Sequence, residues 1–106
     1  MENQSLTIAI IDDNEAIRKS LQILLDFSGY ETRTFATAEA CLESDISEID
    51  CFVIDLRLPE MNGYELAKYI RQDGFDTPMI VMSGNIDAPE YVDLRQIKNV
   101  KCLPKP

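Results

Sequence analysis

Three carboxylates stand immediately after two short apolar runs of the sequence. Asp12 and Asp13 follow the run that ends at Ile11, and Asp55 follows Cys51–Ile54. Three negative charges brought close together repel one another and raise one another's pKa values. A hard divalent cation such as Mg²⁺ relieves that repulsion, because it takes a few carboxylate ligands, keeps several waters and accepts a phosphoryl oxygen. The three residues therefore indicate a magnesium site, provided that the fold places the two runs side by side.

A hydroxyl group and an ammonium group follow two further apolar runs. Ser83 closes Met79–Met82, and Lys105 comes just after Val100–Leu103. At the same edge of a sheet as the carboxylates, these two groups suit an anion such as a phosphoryl group. Aspartate is a nucleophile toward phosphoryl groups and forms an acyl phosphate. Together the residue types indicate an aspartyl-phosphate site.

Each of these residues also has a plainer explanation. Asp12 and Asp13 are suited to the start of a helix, where negative charge interacts favourably with the helix dipole. Asp55 alone would be the first residue of a turn. Ser83 would be a strand-end hydroxyl, and Lys105 a solvated surface charge. The chemical interpretation is favoured because a parallel sheet would bring all five residues to one edge.

The elements that must position these groups alternate regularly along the chain. Apolar runs typical of buried parallel strands are separated by segments with apolar residues at helical spacing. The predicted strands are Leu6–Ile11, Tyr30–Phe35, Cys51–Ile54, Met79–Met82 and Val100–Leu103. The predicted helices are Glu15–Ser28, a short one after Thr37, Tyr64–Gln72 and one from Pro89 to about Ile97. The alternation predicts an α/β fold with a doubly wound parallel sheet, in which the first helix covers one face and the other three cover the opposite face.

Composition narrows the classes of function. A chain of 106 residues has room for one domain. Its net charge of −9 argues against binding of nucleic acid or an anionic membrane by this chain. It contains no histidine, which excludes Ser-His catalysis and histidine-ligated zinc. Three cysteines without a CxxC motif, no apolar run of membrane length and no signal-peptide core together favour a cytoplasmic location.

The sequence resembles the receiver domain of two-component response regulators, in register over essentially the whole chain. The matching segments are Ile11–Asn14, Ile54–Leu66, Val81–Gly84 and Leu103–Pro106. Arg18–Leu21 and Ala38–Leu42 are most similar to the branch typified by nitrogen-fixation regulators (FixJ-like). The resemblance implies that residues 1–106 form one receiver domain with the flavodoxin-like strand order 2-1-3-4-5.

The resemblance implies a signalling role centred on Asp55. This residue is the implied phosphoacceptor, which takes a phosphoryl group from the phosphohistidine of a sensor histidine kinase in a Mg²⁺-dependent reaction. Ser83 is implied to be the switch hydroxyl that follows the phosphoryl oxygen, and Lys105 the residue that pairs with the phosphoryl group. The conformational signal would pass to an output domain or a partner protein absent from this chain. The domain would assist its own phosphorylation and dephosphorylation without being an enzyme.

The resemblance also implies the ligands of the metal ion. Asp13 is the implied direct ligand, Asp12 acts mainly through water, and Asp55 contributes its carboxylate. Arg57 is implied to supply its backbone carbonyl, while its side chain lies beside the site and affects the lifetime of the phosphoryl group.

The chain departs from the family in its last residues. Cys102 stands where the family usually has an aromatic residue whose rotation reports phosphorylation, and a cysteine cannot act as a bulky gate. The family usually has a cis peptide before the proline that follows the lysine, here between Lys105 and Pro106. Receivers normally continue into a fifth helix. We therefore expect a C-terminal truncation, or a homodimer in which a second copy covers the exposed sheet face.

Two other classes of function compete with the switch. A pseudo-receiver would keep the fold as a protein-interaction module without being phosphorylated, and the altered Cys102 region favours it. The intact set of site residues weighs against it. A metal-dependent aspartyl phosphatase would use the same nucleophile, but the sequence offers no second general acid beside Asp55 and no cap insertion that would form a substrate pocket.

Overall fold

The chain forms a five-stranded parallel sheet flanked by helices. The structure is a computed structural model that describes residues 5–84 and 89–105. Its strands are β1 (Thr7–Ile11), β2 (Glu31–Phe35), β3 (Cys51–Asp55), β4 (Met79–Ser83) and β5 (Val100–Pro104). Its helices are α1 (Glu15–Phe27), α2 (Ala38–Leu42), α3 (Gly63–Gln72) and α4 (Pro89–Leu94), with a 3₁₀ turn at Ile46–Glu48. The strand order is β2-β1-β3-β4-β5, which confirms the predicted doubly wound sheet.

The point where the winding reverses lies between β1 and β3. From β1 the chain moves outward to β2, then returns to the other side of β1 and continues through β3, β4 and β5. The register pairs Ile11 of β1 with Ile54 of β3, so that Asp12 and Asp55 follow at the same level. A parallel sheet binds ligands at this crevice, beyond the carboxyl ends of its strands. The fold therefore brings the predicted carboxylates to the expected place.

One face of the sheet carries the main core. The buried core cluster combines sheet residues with residues of α2, α3 and α4; its sheet members include Ala9, Ile11, Phe52, Ile54, Met79 and Val81. No residue of α1 belongs to this cluster. Because successive side chains of a strand point to opposite faces, the other residues of the same strands face the side of the sheet against which α1 packs. The predicted division of helices, one against three, agrees with this arrangement.

The face that carries α1 is thinly covered by the described residues. Val53, Ile80 and Met82 are only half-buried, and Leu103 is 46% exposed. Helix α1 itself has no fully buried residue, and Phe27 is 91% exposed. The described residues thus contain four α-helices and leave apolar surface over β3, β4 and β5. This agrees with the expectation of a receiver fold without its fifth helix.

Several predicted boundaries differ from the structure by small amounts. Strands β3, β4 and β5 each extend one residue further, because the hydrogen-bond ladder continues through Leu56 N–H to the Met82 carbonyl and through Lys105 N–H to the Ser83 carbonyl. Helix α4 ends at Leu94 and not near Ile97. There the backbone hydrogen bonds change to the three-residue spacing of a tight turn, which closes the helix early. The predicted cis peptide before Pro106 lies outside the described residues.

The loops before β4 and β5 are joined by Arg71 at the end of α3. Its guanidinium group donates hydrogen bonds to the carbonyl oxygens of Phe75, Thr77, Lys98 and Asn99, at 2.8–3.1 Å. The Arg71 side chain therefore links the loop that precedes β4 to the loop that precedes β5.

The three cysteines are free thiols. Cys41 is fully buried, and burial raises the pKa of its thiol to about 12, as expected for a core residue. Within residues 5–84 and 89–105, none of the helices combines the length and apolar character that crossing a membrane requires.

Candidate metal and anion site

The three predicted carboxylates meet at the carboxyl edge of β1 and β3. Asp12, Asp13 and Asp55 each offer a carboxylate oxygen, and these atoms lie within 4.8 Å of one another. Asp12 and Asp55 are buried, whereas Asp13 is exposed to solvent. The cluster thus has two fixed carboxylates and one that faces water, an arrangement open to a cation from outside.

The backbone around Asp12 is held at several points. Its N–H donates to the carbonyl oxygen of Phe35 on β2 at 3.1 Å. Its Oδ1 accepts a hydrogen bond from the N–H of Asn14 at 2.9 Å. The side chain of Asn14 in turn caps α1, where its Oδ1 accepts hydrogen bonds from the N–H groups of Ala16 and Ile17. Helix α1 is therefore started by the same three-residue loop that carries Asp12 and Asp13.

Asp55 sits at the end of β3 with both carboxylate oxygens engaged. Oδ1 accepts a hydrogen bond from the N–H of Arg57 at 3.2 Å, and Oδ2 lies 3.1 Å from Nζ of Lys105. Burial raises the pKa of the Asp55 carboxyl, and the negative charge of Asp12 raises it further. The hydrogen bonds from Lys105 and Arg57 offset only part of this effect. Ionisation of Asp55 is therefore less favourable than that of a solvent-exposed aspartate.

Lys105 is the cation of the site. Its Nζ lies 3.1 Å from Oδ2 of Asp55 and 3.4 Å from Oδ2 of Asp12, and its side chain is 20% exposed. Partial burial acts to lower the pKa of Lys105, but the hydrogen bond and charge of Asp55, together with Asp12, raise it overall. The ammonium group is thus held in its charged form between two carboxylates, at the edge where an anion would enter.

The donor set fits a hard divalent cation. Within the part of the chain that the structure describes, the Asp13 carboxylate has no hydrogen-bond or ion-pair partner, and Lys105 offsets only one of the three negative charges. A site of carboxylate oxygens that still has access to water is the kind of environment that Mg²⁺ selects. Arg57 follows Asp55 closely, with an exposed side chain and its N–H already bonded to the Asp55 carboxylate.

Ser83 lies at the same edge of the sheet. It is the last residue of β4, directly after Met82, which pairs with Asp55 in the register of β3 and β4. Its side chain is fully buried, and its carbonyl oxygen accepts a hydrogen bond from the N–H of Lys105 at 2.8 Å. The topology thus brings together all five predicted strand-end residues: Asp12, Asp13, Asp55, Ser83 and Lys105.

The position of Cys102 on β5 is bordered by an aromatic residue from another element. Tyr91 of α4 is buried, and its hydroxyl group donates a hydrogen bond to the Cys102 carbonyl oxygen at 3.3 Å. The guanidinium group of Arg95 lies 5.7 Å from the centre of the Tyr91 ring. Burial raises the pKa of the Cys102 thiol, so that the residue behaves as a small apolar side chain at neutral pH.

The raised pKa of the buried Asp55 carboxyl predicts that Asp55→Asn stabilises the metal-free protein at pH 7. Because the pKa of Asp55 is raised in the folded state, wild type loses stability as pH rises through that value, whereas the variant does not. Below an unfolded-state pKa of about 3.9 the carboxyl is neutral in both states, and the advantage of the variant disappears. Thermal unfolding in EDTA at pH 7 and at low pH measures this difference.

Asp93→Asn is the matched control for this prediction. Asp93 is exposed on α4, so that the substitution removes the same charge from an acidic protein without touching the site. An Asp55→Asn variant that gains no more stability than Asp93→Asn at pH 7 would show that burial imposes no penalty on the Asp55 carboxylate.

Two residues of the site were assigned no role from the sequence. A Cβ atom on Gly63, the first residue of α3, would lie 2.7 Å from the carbonyl oxygen of Asp55. Arg18 of α1 donates a hydrogen bond from Nη1 to the carbonyl oxygen of Asp12 at 2.7 Å. A cation near the start of a helix opposes the helix dipole, but in the sequence Arg18 is one charge among several on an amphipathic segment, so the pattern does not indicate this contact.

Comparison with known proteins gives a consistent result. Residues 8–106 match the response regulator receiver domain family. The transcriptional regulatory protein FixJ of Azorhizobium caulinodans is 35% identical over 104 residues, covering 97% of this chain and 49% of that protein. Among solved structures, the FixJ-N crystal structure superposes with a TM-score of 0.84 at 33% identity, covering 98% of this chain and 84% of that one. The response regulator StyR gives 0.87 at 30% identity, covering 97% and 52%. The chain spans about half the length of the curated relatives that it matches.

Proposed function

The chain belongs to the response regulator receiver domain family, and on this premise we propose that it is a phosphorylation-activated signalling switch with Asp55 as phosphoacceptor. The observation that carries the proposal is the environment of the Asp55 carboxylate. It is buried, lies 3.1 Å from the Lys105 ammonium group and shares a cluster with two further carboxylates that are suited to a cation. A nucleophile, a fixed cation and an acidic metal site at one sheet edge are the components that transfer of a phosphoryl group to aspartate requires.

The proposed reaction is an in-line displacement at phosphorus. A carboxylate oxygen of Asp55 forms the new P–O bond while the P–N bond to the histidine of a sensor kinase breaks, and the imidazole leaves with its electron pair. Lys105 stabilises the negative charge on the phosphoryl oxygens. Asp12, Asp13 and Asp55, with the backbone carbonyl of Arg57 as in the family, would hold Mg²⁺, which supplies further neutralisation of those oxygens.

The signal would leave the site through the ends of β4 and β5. Ser83 follows the phosphoryl oxygen in this proposal, as in the family, and its backbone is already bonded to that of Lys105. The relatives matched over this domain are transcriptional regulators about twice as long as the chain. An output domain or partner protein that regulates transcription is therefore the proposed receiver of the signal, with a sensor histidine kinase as the phosphoryl donor. Three free cysteines suit a cytoplasmic location.

The domain is proposed to act as a phosphoacceptor and not as an enzyme that turns over phosphate esters. The alternative is a pseudo-receiver, a module that keeps the fold but is never phosphorylated. The feature that favours this alternative is Cys102 at the position where the family has an aromatic residue. The carboxylates, Ser83 and Lys105 all favour the switch.

Intact-mass spectrometry after incubation with acetyl phosphate and Mg²⁺ tests the proposed function. We expect wild type to gain one phosphoryl group, and Asp55→Asn to gain none. Wild type treated with EDTA should also gain none, which measures the dependence on the metal ion. A wild-type protein that folds, gains no phosphoryl group and forms no beryllofluoride complex would be a pseudo-receiver, and the proposal would be wrong.

A further inference from the structure

Arg18 makes an unusual contact with the loop that carries two of the carboxylates. It lies in the fourth position of α1, and its guanidinium group reaches back over the start of the helix to the carbonyl oxygen of Asp12, at 2.7 Å. Within residues 5–84 and 89–105, Arg18 forms no ion pair with a carboxylate. The contact made by this charged side chain is therefore with a backbone carbonyl and not with a carboxylate.

This placement is unfavourable on electrostatic grounds alone. Near the start of a helix a positive charge opposes the helix dipole. It also adds a positive charge next to a cluster suited to a cation, so that its charge by itself weakens binding of Mg²⁺. The favourable contribution that offsets these two effects is the charge-assisted hydrogen bond to the Asp12 carbonyl, because such bonds are strong and directional. The contact therefore points to a role in geometry and not in charge.

The geometry in question is that of the peptide between Asp12 and Asp13. The Asp12 N–H is held by Phe35 and its Oδ1 by Asn14, so that its carbonyl is the remaining polar group of the backbone at this residue. Arg18 fixes that carbonyl and with it the plane of the peptide that leads into Asp13. The Asp13 carboxylate has no partner among the described residues, so no contact of its own holds it, and the backbone sets the direction in which its side chain leaves the loop.

We propose that Arg18 is a positioning residue, which holds the Asp12–Asp13 peptide so that the Asp13 carboxylate is presented to a divalent cation. The inference rests on the proposed function for the identity of that cation as Mg²⁺. It goes beyond that function because Arg18 is not one of the proposed metal ligands. A measurable share of the Mg²⁺ affinity is nevertheless assigned to it. Residues that orient metal ligands typically change affinity by about ten- to a hundredfold when they are replaced.

Titration of the full chain with Mg²⁺ by calorimetry tests whether Arg18 positions Asp13 or only repels the cation. Removing Arg18 lowers the Mg²⁺ affinity in the first case and raises it in the second. If Arg18 positions Asp13, Arg18→Ala weakens Mg²⁺ binding about tenfold, although a repelling charge has been removed. Arg18→Lys, which keeps a donor and the charge, retains more affinity than the alanine variant. Lys19→Ala is the matched control, since Lys19 is the neighbouring cation of α1 and, among the described residues, forms its ion pair with Glu15 at the surface. It should leave the affinity unchanged or slightly higher.

The outcomes distinguish this inference from the proposed function. Equal or tighter Mg²⁺ binding by a folded Arg18→Ala variant overturns the positioning role while the magnesium site stands. If wild type itself binds no Mg²⁺, the proposed function fails, and NMR of the metal-free protein then decides on Arg18. Large shifts of the Asp13 and Asn14 amide resonances in Arg18→Ala, smaller in Arg18→Lys and absent from Lys19→Ala, support the positioning role, and unchanged resonances in Arg18→Ala overturn it. Thermal unfolding in EDTA checks that each variant is folded, and Arg18→Met, which keeps the aliphatic stem but lacks the donor, replaces the alanine variant if that one is not.

Discussion

Replacing Lys105 with alanine is expected to slow phosphorylation of Asp55 by acetyl phosphate about a hundredfold at saturating Mg²⁺, the typical cost of removing one preorganised donor to a developing charge. Among the described residues, Lys105 is the cation that forms an ion pair with the Asp55 carboxylate, at 3.1 Å, and this neighbour raises the pKa of Lys105. Without it, the phosphoryl oxygens lose a positive charge that is fixed before the reaction begins. The rate constant, followed by intact mass over time, measures the loss.

The same substitution should affect metal binding in the opposite direction. The ammonium group of Lys105 lies 3.1–3.4 Å from Asp55 and Asp12, and it occupies carboxylate oxygens that a cation needs. Lys105→Ala is therefore expected to bind Mg²⁺ more tightly than wild type while it is phosphorylated more slowly. A general disruption of the site would weaken both. This divergence separates a specific loss of charge stabilisation from partial unfolding.

Lys101→Ala is the control for the loss of Lys105. Lys101 lies on β5, the strand that leads to Lys105, and is exposed. Its replacement removes the same charge, but Lys101 takes part in no ion pair among the described residues. We expect wild-type rates from this variant. A Lys105→Ala protein that is phosphorylated as fast as Lys101→Ala would mean that the ammonium group contributes nothing to the reaction, and that its contact with Asp55 serves only the stability of the metal-free fold.

The placement of the site residues could be predicted because it depends on two simple regularities. Apolar runs such as Cys51–Ile54 form buried parallel strands, and the carboxyl ends of parallel strands meet at one edge. Once β1 and β3 are neighbours, Asp12 and Asp55 must lie close together, whatever the details of the loops. The strand order itself came from the resemblance to a family, because the alternation of elements alone allows other orders.

The roles of Arg18 and Gly63 could not be derived in the same way. Each role depends on a contact that the local sequence pattern does not predict. Arg18 reaches back from α1 to the Asp12 carbonyl, and Gly63 packs against the backbone of Asp55. Arg18 appears in the sequence as one more charge on an amphipathic helix, and Gly63 as the second half of an Asn-Gly turn. The early end of α4 at Leu94 was missed for a related reason, since the residues that follow keep a helical spacing although their hydrogen bonds have changed.

Gly63→Ala should destabilise the fold by about 2 kcal/mol, the middle of the range for overpacking a tight contact. A Cβ atom at this position would lie 2.7 Å from the Asp55 carbonyl oxygen and 2.9 Å from Cα of Leu56, and neither backbone atom can move aside as a flexible side chain would. The N–H of Gly63 also donates to the carbonyl oxygen of Leu56 at 3.0 Å, so the two segments are bonded at the point of contact. Denaturant unfolding in EDTA measures the loss.

Gly63→Ala should also slow phosphorylation, because the carbonyl oxygen that the added Cβ would meet belongs to Asp55, the proposed phosphoacceptor. The start of α3 is bonded to the segment that follows β3, through the Gly63 N–H and the Leu56 carbonyl oxygen, so that the helix cannot move away from Asp55 without disturbing that segment. The end of β3 must therefore shift, and slower phosphorylation of the folded fraction is expected. Gly84→Ala is the control, because a Cβ there meets no atom of residues 5–84 and 89–105 within 4 Å. If Gly63→Ala were as stable as Gly84→Ala, the close packing of α3 on Asp55 could not be what fixes the position of the phosphoacceptor.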